Sequence, residues 1–240
     1  MKKVAIFVEG DTEFYFVEKL VQEIAGYGNV RLIMAKQHGN AIHFVRENGA
    51  PEGSAKLEIY LVNCSFDGKV KPFILERGEQ LKNKGYTYII GLQDLYPKGF
   101  DELDKFEAGL AKGLDKVPVP VTICVAVKEI EAWFLNEAEH FTNIDPKLDF
   151  PTISREIGFD PKNGSAEDSI NHPAGTLDKI YQIAGLRYKK HGSEIHRLIA
   201  ALDFNTLYYE VRRKSKSLDR FLTEIDGALR DDPEVEPVAA

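Results

Sequence analysis

The chain has 240 residues, of which 43% are hydrophobic and 29% charged. This composition is typical of a globular protein with one large α/β domain, or one domain with a helical appendage. Its formal net charge of −7 argues against a surface that is basic all over, as nucleic-acid binding favours. The charge is uneven, however, because residues 187–220 carry nine Lys or Arg against four Asp or Glu. An acidic body with one basic segment can still bind phosphates locally.

The first residues predict neither a signal peptide nor a membrane span. The apolar run at residues 4–8 is short and ends in an acidic cluster. The two cysteines, Cys64 and Cys124, each lie within an apolar run, which indicates reduced core residues rather than a zinc site. We therefore expect a cytoplasmic protein that makes no membrane contact.

The predicted elements begin with a strand at residues 4–8, buried on both faces, which leads through residues 9–13 into an amphipathic helix. Further strands are predicted at residues 30–34, 57–62, 86–92 and 121–127. Helices are predicted at residues 41–47, 70–84, 100–114 and 130–140. After Pro146 the pattern predicts helices alone, at residues 153–157, 176–184, 193–202 and 217–229.

Strands that alternate with amphipathic helices predict an α/β fold, in which helices cover both faces of a mostly parallel sheet. We assign residues 1–145 to this α/β domain and residues 146–230 to a C-terminal helical extension. Residues 231–240 are acidic and contain proline, which predicts a disordered tail.

Three of the predicted strands end in acidic residues. The carboxyl ends of parallel strands meet at one edge of a sheet, where open α/β folds bind ligands. Clustered carboxylates repel one another unless they bind protons or a cation, and hard oxygen ligands select Mg²⁺, Mn²⁺ or Ca²⁺ rather than zinc. Two such ions would suit in-line displacement at a phosphodiester. The predicted metal ligands are Glu9, Glu13, Asp94, Glu129 and Glu131.

A purely structural explanation stays open for some of the acidic residues near the first strand. Asp11 and Thr12 are ordinary helix N-cap residues, and Glu13 in a first turn is favoured by the helix dipole. Glu9 precedes the cap and contributes nothing obvious to helix stability.

The order of these motifs resembles the Toprim fold of topoisomerases, primases and OLD-family nucleases. The first motif reads strand–Glu9-Gly-x-x-Glu13–helix. The second motif, Asp94-Leu-Tyr96-Pro-Lys-Gly99, keeps the first Asp and the Gly of the family pattern. Tyr96 replaces the second Asp and supplies no carboxylate. That departure leaves open a one-metal site, a site completed by the other glutamates, or a site that binds without cleaving.

OLD-family nucleases also carry a small or acidic residue and a Glu two residues apart after the next strand, and a later lysine. Glu129-Ile-Glu131 fits the first feature, and Lys189 or Lys190 fits the second. The resemblance implies that one of these lysines neutralises charge at the scissile phosphate, whereas a plain surface lysine pair is the alternative. The resemblance covers most of residues 1–225. It extends to a Toprim-like family encoded beside ABC-type ATPases, and similar proteins occur in phage-defence cassettes.

One basic run and one tryptophan complete the candidates. Arg212, Arg213, Lys214 and Lys216 follow two tyrosines and are candidates for contacts with a nucleic-acid backbone, although a solvated helix end is the commoner role of such a run. Trp133 lies near a helix start, which favours a core residue over a base-stacking residue.

These features predict a nuclease that depends on Mg²⁺ or Mn²⁺, cleaves DNA or RNA and is the effector of a phage-defence system. In this hypothesis Glu9, Asp94 and Glu131 carry catalysis, and Lys189 or Lys190 lies at the phosphate. The alternative is a non-catalytic regulatory or binding subunit of an ABC-type ATPase, which the incomplete second motif favours. A receiver-like domain also collects acids at strand ends, but it has no role for the helical extension.

Overall fold

A computed structural model describes residues 1–39 and 41–229 of the chain. Its strands are β1 Lys2–Val8, β2 Val30–His38, β3 Ala41–Gly49, β4 Leu57–Asn63, β5 Tyr88–Asp94 and β6 Val121–Ala126. In this part of the chain they form one sheet with the order β3-β2-β4-β1-β5-β6. Neighbouring strands run parallel except β2 and β3, which are antiparallel. The predicted α/β fold with a mostly parallel sheet is confirmed.

Helices cover both faces of this sheet, as predicted. Their bounds are α1 Asp11–Ala25, α2 Val70–Asn83, α3 Leu103–Ala111, α4 Glu131–Asn136, α5 Glu139–Ile144, α6 Phe150–Ile157, α7 Ala166–Ser169, α8 Pro173–Ile183, α9 Gly192–Ala201, α10 Phe204–Tyr209 and α11 Lys216–Leu229. On one face α2 and α3 pack against Ala5 and Phe7 of β1. On the other face α1 and the helices from α4 onward pack around Val4, Ile6 and Val8.

β1 lies in the middle of the sheet between β4 and β5. The side chains from Val4 to Val8 are completely buried, because alternate residues of a central strand enter the two cores. The register pairs Val8 of β1 with Leu92 of β5, and Asp94 of β5 with Ala126 of β6. The carboxyl ends of these three strands therefore lie side by side.

The prediction of a helix at residues 41–47 is wrong, because these residues form β3. This strand pairs antiparallel with β2 at the edge of the sheet. Ile42, Phe44 and Val45 are residue types that suit a strand, and the pairing satisfies backbone groups along β2. Phe44 is 66% exposed, so the segment lacks the buried stripe that would stabilise a helix.

The helix predicted at residues 130–140 is divided into α4 and α5. The chain is extended at Glu137, and the carboxylate of this residue accepts hydrogen bonds from the backbone N–H groups of Glu139 and His140. A side chain that accepts these bonds caps the start of α5, so a new helix begins there. The short helix α10 was not predicted.

The helices after residue 146 extend the core of the α/β part. Trp133 of α4 is completely buried and stacks on Phe221 of α11, with 5.8 Å between ring centroids. Its indole N–H donates to Ser217 Oγ at 2.8 Å. The prediction that Trp133 is a core residue is confirmed.

The sequence also predicted a disordered tail and the absence of a membrane span. The predicted disordered tail at residues 231–240 lies outside the described residues. Among the helices that the structure describes, none combines the length and the apolar composition needed to cross a membrane.

Candidate metal centre at the carboxyl edge of the sheet

Acidic side chains from three strand ends meet one lysine at the carboxyl edge of the sheet. The pocket there is lined by Glu9, Glu13 and Asp94, together with Lys190. Glu131 joins this group, since its carboxylate lies 3.1 Å from Lys190 Nζ. Residues more than 170 positions apart in the sequence thus form one site, which we call the carboxylate cluster and define as Glu9, Glu13, Asp94, Glu129, Glu131 and Lys190.

Glu9 is held by two backbone N–H groups. One oxygen accepts from Gly68 at 2.6 Å, and the other accepts from Asp94 at 3.0 Å. These bonds tie the end of β1 to the loop before α2 and to the end of β5. Burial raises the pKa of Glu9, although both hydrogen bonds oppose this shift. The glutamate therefore has a structural partner for each oxygen as well as a place in the cluster.

Glu13 lies in the first turn of α1, and its carboxylate accepts from the N–H of Gly10 at 3.0 Å. This bond is the capping interaction that the helix-stabilising explanation requires. Glu13 is also buried inside the cluster, and burial together with nearby Glu131 raises its pKa to about 7, against the opposing charge of Lys190. A carboxyl that titrates near neutral pH responds strongly to any cation placed beside it.

Asp94 is the last residue of β5 and accepts from the N–H of Ile130 at 3.1 Å. Its pKa is raised well above the ordinary value, first by burial and then by the charges of Glu13 and Glu131. The aspartate thus connects β5 with the segment that leads from β6 into α4.

Glu131 is completely buried, and one of its oxygens accepts from the hydroxyl of Tyr188 at 2.7 Å. Its Oε2 has no hydrogen-bond partner among the described residues. Glu129 accepts from the N–H of Ala174 at 3.0 Å and lies 3.4 Å from Lys190 Nζ. An unpartnered carboxylate oxygen in the interior is costly, and a bound cation would satisfy it.

Lys190 is the one cation in the carboxylate cluster. Burial works to lower its pKa, but Glu131, Asp94 and Glu13 raise it, so the ammonium stays charged. Its backbone has a φ of 57°, in the left-handed region that non-glycine residues rarely adopt. One ammonium faces five carboxyl groups, which leaves a surplus of negative charge.

Lys189 does not share the site. Its Nζ pairs with Asp178 at 2.9 Å, and the same carboxylate accepts from the N–H of Tyr188 at 2.8 Å and from the side chain of Arg187. Of the two candidate lysines, Lys190 is therefore the one that lies in the carboxylate cluster, because the side chain of Lys189 pairs with a different carboxylate. Asp178 and Tyr188 fix the segment that carries Lys190, and no local sequence signal identified either of them.

The basic run is not brought to the carboxylate cluster in the described structure. Arg212 pairs with Asp219 at 2.7 Å and with Asp226 at 3.4 Å along α11. Lys214 donates to a backbone carbonyl, that of Lys162. Arg213 and Lys216 are exposed. Because two carboxylates already pair with the guanidinium of Arg212, its contacts do not favour the predicted binding of a phosphate backbone.

The donor chemistry of the cluster fits a hard divalent cation, but its present arrangement is not a finished coordination shell. Within residues 1–39 and 41–229, no three His, Cys, Asp or Glu side chains are placed as ready ligands of one ion. The surplus charge and the unpartnered Glu131 Oε2 favour a cation there, while Lys190 supplies part of the needed charge. Binding would therefore require a shift of side chains around Lys190.

The chain belongs to the family described as "Domain of unknown function (DUF4276)", whose model matches residues 8–226. No curated protein matches the sequence. One solved structure, "The crystal structure of the putative cell surface hydrolase from Lactobacillus plantarum WCFS1", is 12% identical with a TM-score of 0.33. The match covers 58% of this chain and 56% of that one, so the chain spans little more than half of it. A likeness of this extent assigns neither fold nor function.

Proposed function

We propose that this member of the DUF4276 family is a nuclease that depends on Mg²⁺ or Mn²⁺ and hydrolyses phosphodiester bonds in DNA or RNA. The observation that carries the proposal is the convergence of acids from the ends of β1, β5 and β6 around a single lysine. This convergence agrees with the Toprim resemblance of the sequence motifs, and the proposal includes that relationship.

Glu9, Asp94 and Glu131 would hold the cation, and Glu13 and Glu129 would assist. When bound, such a cation activates water and stabilises the leaving oxygen of the phosphodiester. The donors are carboxylate oxygens, which divalent cations of this kind prefer. Glu131 contributes an oxygen that has no other described partner.

Lys190 contributes a positive charge beside these carboxylates. We assign it to the negative charge that develops on the phosphate during hydrolysis, which its ammonium would meet once a bound cation has displaced it from Glu129 and Glu131. Tyr188 holds the carboxylate of Glu131 by a hydrogen bond of 2.7 Å, and Asp178 holds the backbone of Tyr188. These two residues act as positioning residues for the site.

A second candidate function is a non-catalytic regulatory or binding subunit. The observation that favours it is that Lys190 already pairs with Glu129 and Glu131, without a ready set of three ligands in the described residues. In this alternative the cluster is a structural ion-pair network, and the protein acts by docking on an ABC-type ATPase. Titration calorimetry with Mn²⁺ separates the two, because a network without a cation site gives no saturable heat.

Metal removal tests the nuclease proposal. We expect the protein to cleave labelled single-stranded or double-stranded DNA or RNA in Mg²⁺ or Mn²⁺, to stop when EDTA is added, and to resume when the cation is restored in excess. Gel electrophoresis of the products measures this. Cleavage that continues in EDTA, or intact substrates of all four types in both cations, would refute the proposal.

The cellular setting belongs to the same proposal. A nuclease of this kind would act in the cytoplasm, where phage nucleic acid is present, and an ABC-type ATPase would control its activity. Co-purification with an ATPase encoded beside it tests the partner.

A further inference from the structure

A groove of about 670 Å³ opens directly beside the carboxylate cluster. It lies between the start of α2, the end of β5 and α3, and it shares Glu9 and Asp94 with the pocket of the cluster. This volume is in the range of sites that hold a small molecule or one unit of a polymer. A ligand in this groove would therefore lie against the same carboxylates.

Tyr96 supplies an aromatic surface in the groove. It is 46% exposed and lines the groove. The edge of its ring meets His172, with 5.6 Å between centroids, and its backbone N–H donates to the carbonyl of Lys128 at 2.8 Å. The backbone of Tyr96 is thus fixed and its ring has one aromatic neighbour, and its exposure leaves room for another flat group.

Three lysines line the same groove farther from the cluster, namely Lys71, Lys98 and Lys105. Lys98 Nζ lies 4.9 Å from the ring centroid of Phe106, and Lys71 Nζ donates to the carbonyl of Gly109 at 2.6 Å. Each contact holds a lysine along the wall while donors of the ammonium group remain. Asp67 and Glu102 also line the groove, so individual lysines rather than a net positive charge would contact phosphates. Lysines beside an aromatic ring are typical of surfaces that bind single strands of nucleic acid.

A buried acceptor gives independent evidence for a ligand. Gln93 lines the groove and is only 5% exposed, and its Oε1 has no hydrogen-bond partner among the described residues. Buried polar atoms without partners are rare in proteins and require an explanation. A hydrogen-bond donor on a base or a sugar would satisfy this oxygen once the amide turns toward the groove.

We propose that this groove binds an unpaired strand of nucleic acid, with a base stacked on Tyr96 and the backbone along Lys98 and Lys105. The inference rests on the proposed function, because the groove leads to the carboxylates that would act on the phosphate. An exposed ring can stack on a base only when that base has left its own stack, so a duplex cannot use Tyr96 in this way. The substrate class is therefore single-stranded DNA or RNA.

Binding of labelled oligothymidylate and oligouridylate, measured by fluorescence anisotropy in EDTA and again in Ca²⁺, tests the inference without a need for cleavage. Tyr96→Ala is expected to weaken binding by about tenfold or more, the scale of one stacked base, whereas Tyr96→Phe keeps the ring and binds as the parent does. Tyr27→Ala removes an equally exposed tyrosine, which follows α1 and lies outside the groove, and is the matched control. The two oligonucleotides decide between DNA and RNA.

The lysines give a second readout. Lys98→Ala and Lys105→Ala are each expected to lower the salt dependence of binding by about 0.7 in the log–log slope, the value for one phosphate of a single strand. Lys147→Ala, an exposed lysine outside the groove, should leave the slope unchanged.

The outcomes separate this inference from the proposed nuclease. Binding that depends on Tyr96 without any cleavage supports the groove and rejects the nuclease. Metal-dependent cleavage of single strands that is equally fast in Tyr96→Ala supports the nuclease and overturns the groove. Absence of binding in both EDTA and Ca²⁺, or tighter binding of a duplex than of a single strand, also overturns it.

Discussion

Glu9→Gln is expected to reduce metal-dependent cleavage by about 100-fold or more. A ligand that stabilises transition-state charge contributes several kcal/mol, and each 1.36 kcal/mol is a factor of about ten in rate. Glutamine keeps the shape of the side chain, but it carries only one oxygen acceptor for the N–H groups of Gly68 and Asp94. The free energy of unfolding should fall by about 1–2 kcal/mol at most, because one hydrogen bond is lost.

The matched control for this variant is Glu79→Gln, which changes an exposed glutamate of α2 in the same chemical way. Cleavage rates of the three proteins at saturating Mn²⁺, with urea unfolding to monitor stability, provide the comparison. Equal rates for Glu9→Gln and the parent protein would remove Glu9 from the site.

Lys190→Met is expected to destabilise the protein by about 2–3 kcal/mol at pH 8 in the absence of divalent cations. Removal of one partner of a buried ion pair leaves uncompensated charge, which costs about 3–5 kcal/mol in full burial and less where water reaches the group. Lys190 is partly exposed, and it faces Glu129 and the completely buried Glu131. The measurement is the free energy of unfolding in urea.

The loss should be smaller at pH 5. The pKa of Glu13 in the folded protein is about 7, above its ordinary value of 4.5, because of burial and the nearby charge of Glu131. A carboxyl group with a raised pKa favours folding at low pH, and this contribution disappears as the pH rises through the folded pKa. Without Lys190 the carboxyls hold their protons more strongly, so the variant should lose its stability between about pH 5 and pH 8.

Lys189→Met is the control for this experiment, because Lys189 pairs with Asp178 outside the carboxylate cluster. We expect it to lose less stability than Lys190→Met, and its loss relative to the parent protein should be nearly the same at pH 8 and at pH 5. Mn²⁺ should restore stability to Lys190→Met by binding the folded state, but should have less effect on Lys189→Met. Identical behaviour of the two variants at both pH values would show that Lys190 does not neutralise the cluster.

The sequence predicted the convergence of these acids better than it predicted the contacts around them. Glu9, Asp94 and Glu131 follow strands that are strongly apolar, and parallel strands place their carboxyl ends at one edge. Strand identity and strand direction therefore sufficed to bring these acids together. Predicting this convergence did not require the conformation of any loop.

Contacts between distant segments could not be predicted in this way. The choice between Lys189 and Lys190 depends on the backbone of that loop and on Asp178, which lies in α8. The occupation of Arg212 by Asp226 depends on how α11 packs beside the basic run. β3 was misassigned because its structure depends on the open edge of β2 rather than on its own periodicity.

The structure suggests a second interpretation of Tyr96. In the sequence it is the residue that breaks the second Toprim-like motif, which weakens the metal prediction. In the structure it is an exposed ring in the groove beside Asp94. In the single-strand proposal, the same residue that removes a carboxylate from the motif would provide a surface for a base, which connects this proposal with the Toprim hypothesis.

The most direct test of the central claim is anomalous diffraction from crystals soaked in Mn²⁺. The account predicts a Mn²⁺ peak within coordination distance of carboxylate oxygens of Glu9 and Asp94, about 2.0–2.5 Å away, with the ammonium of Lys190 displaced from its present position. Well-ordered carboxylates without a peak at saturating Mn²⁺, and with Lys190 still paired to Glu129 and Glu131, would contradict it.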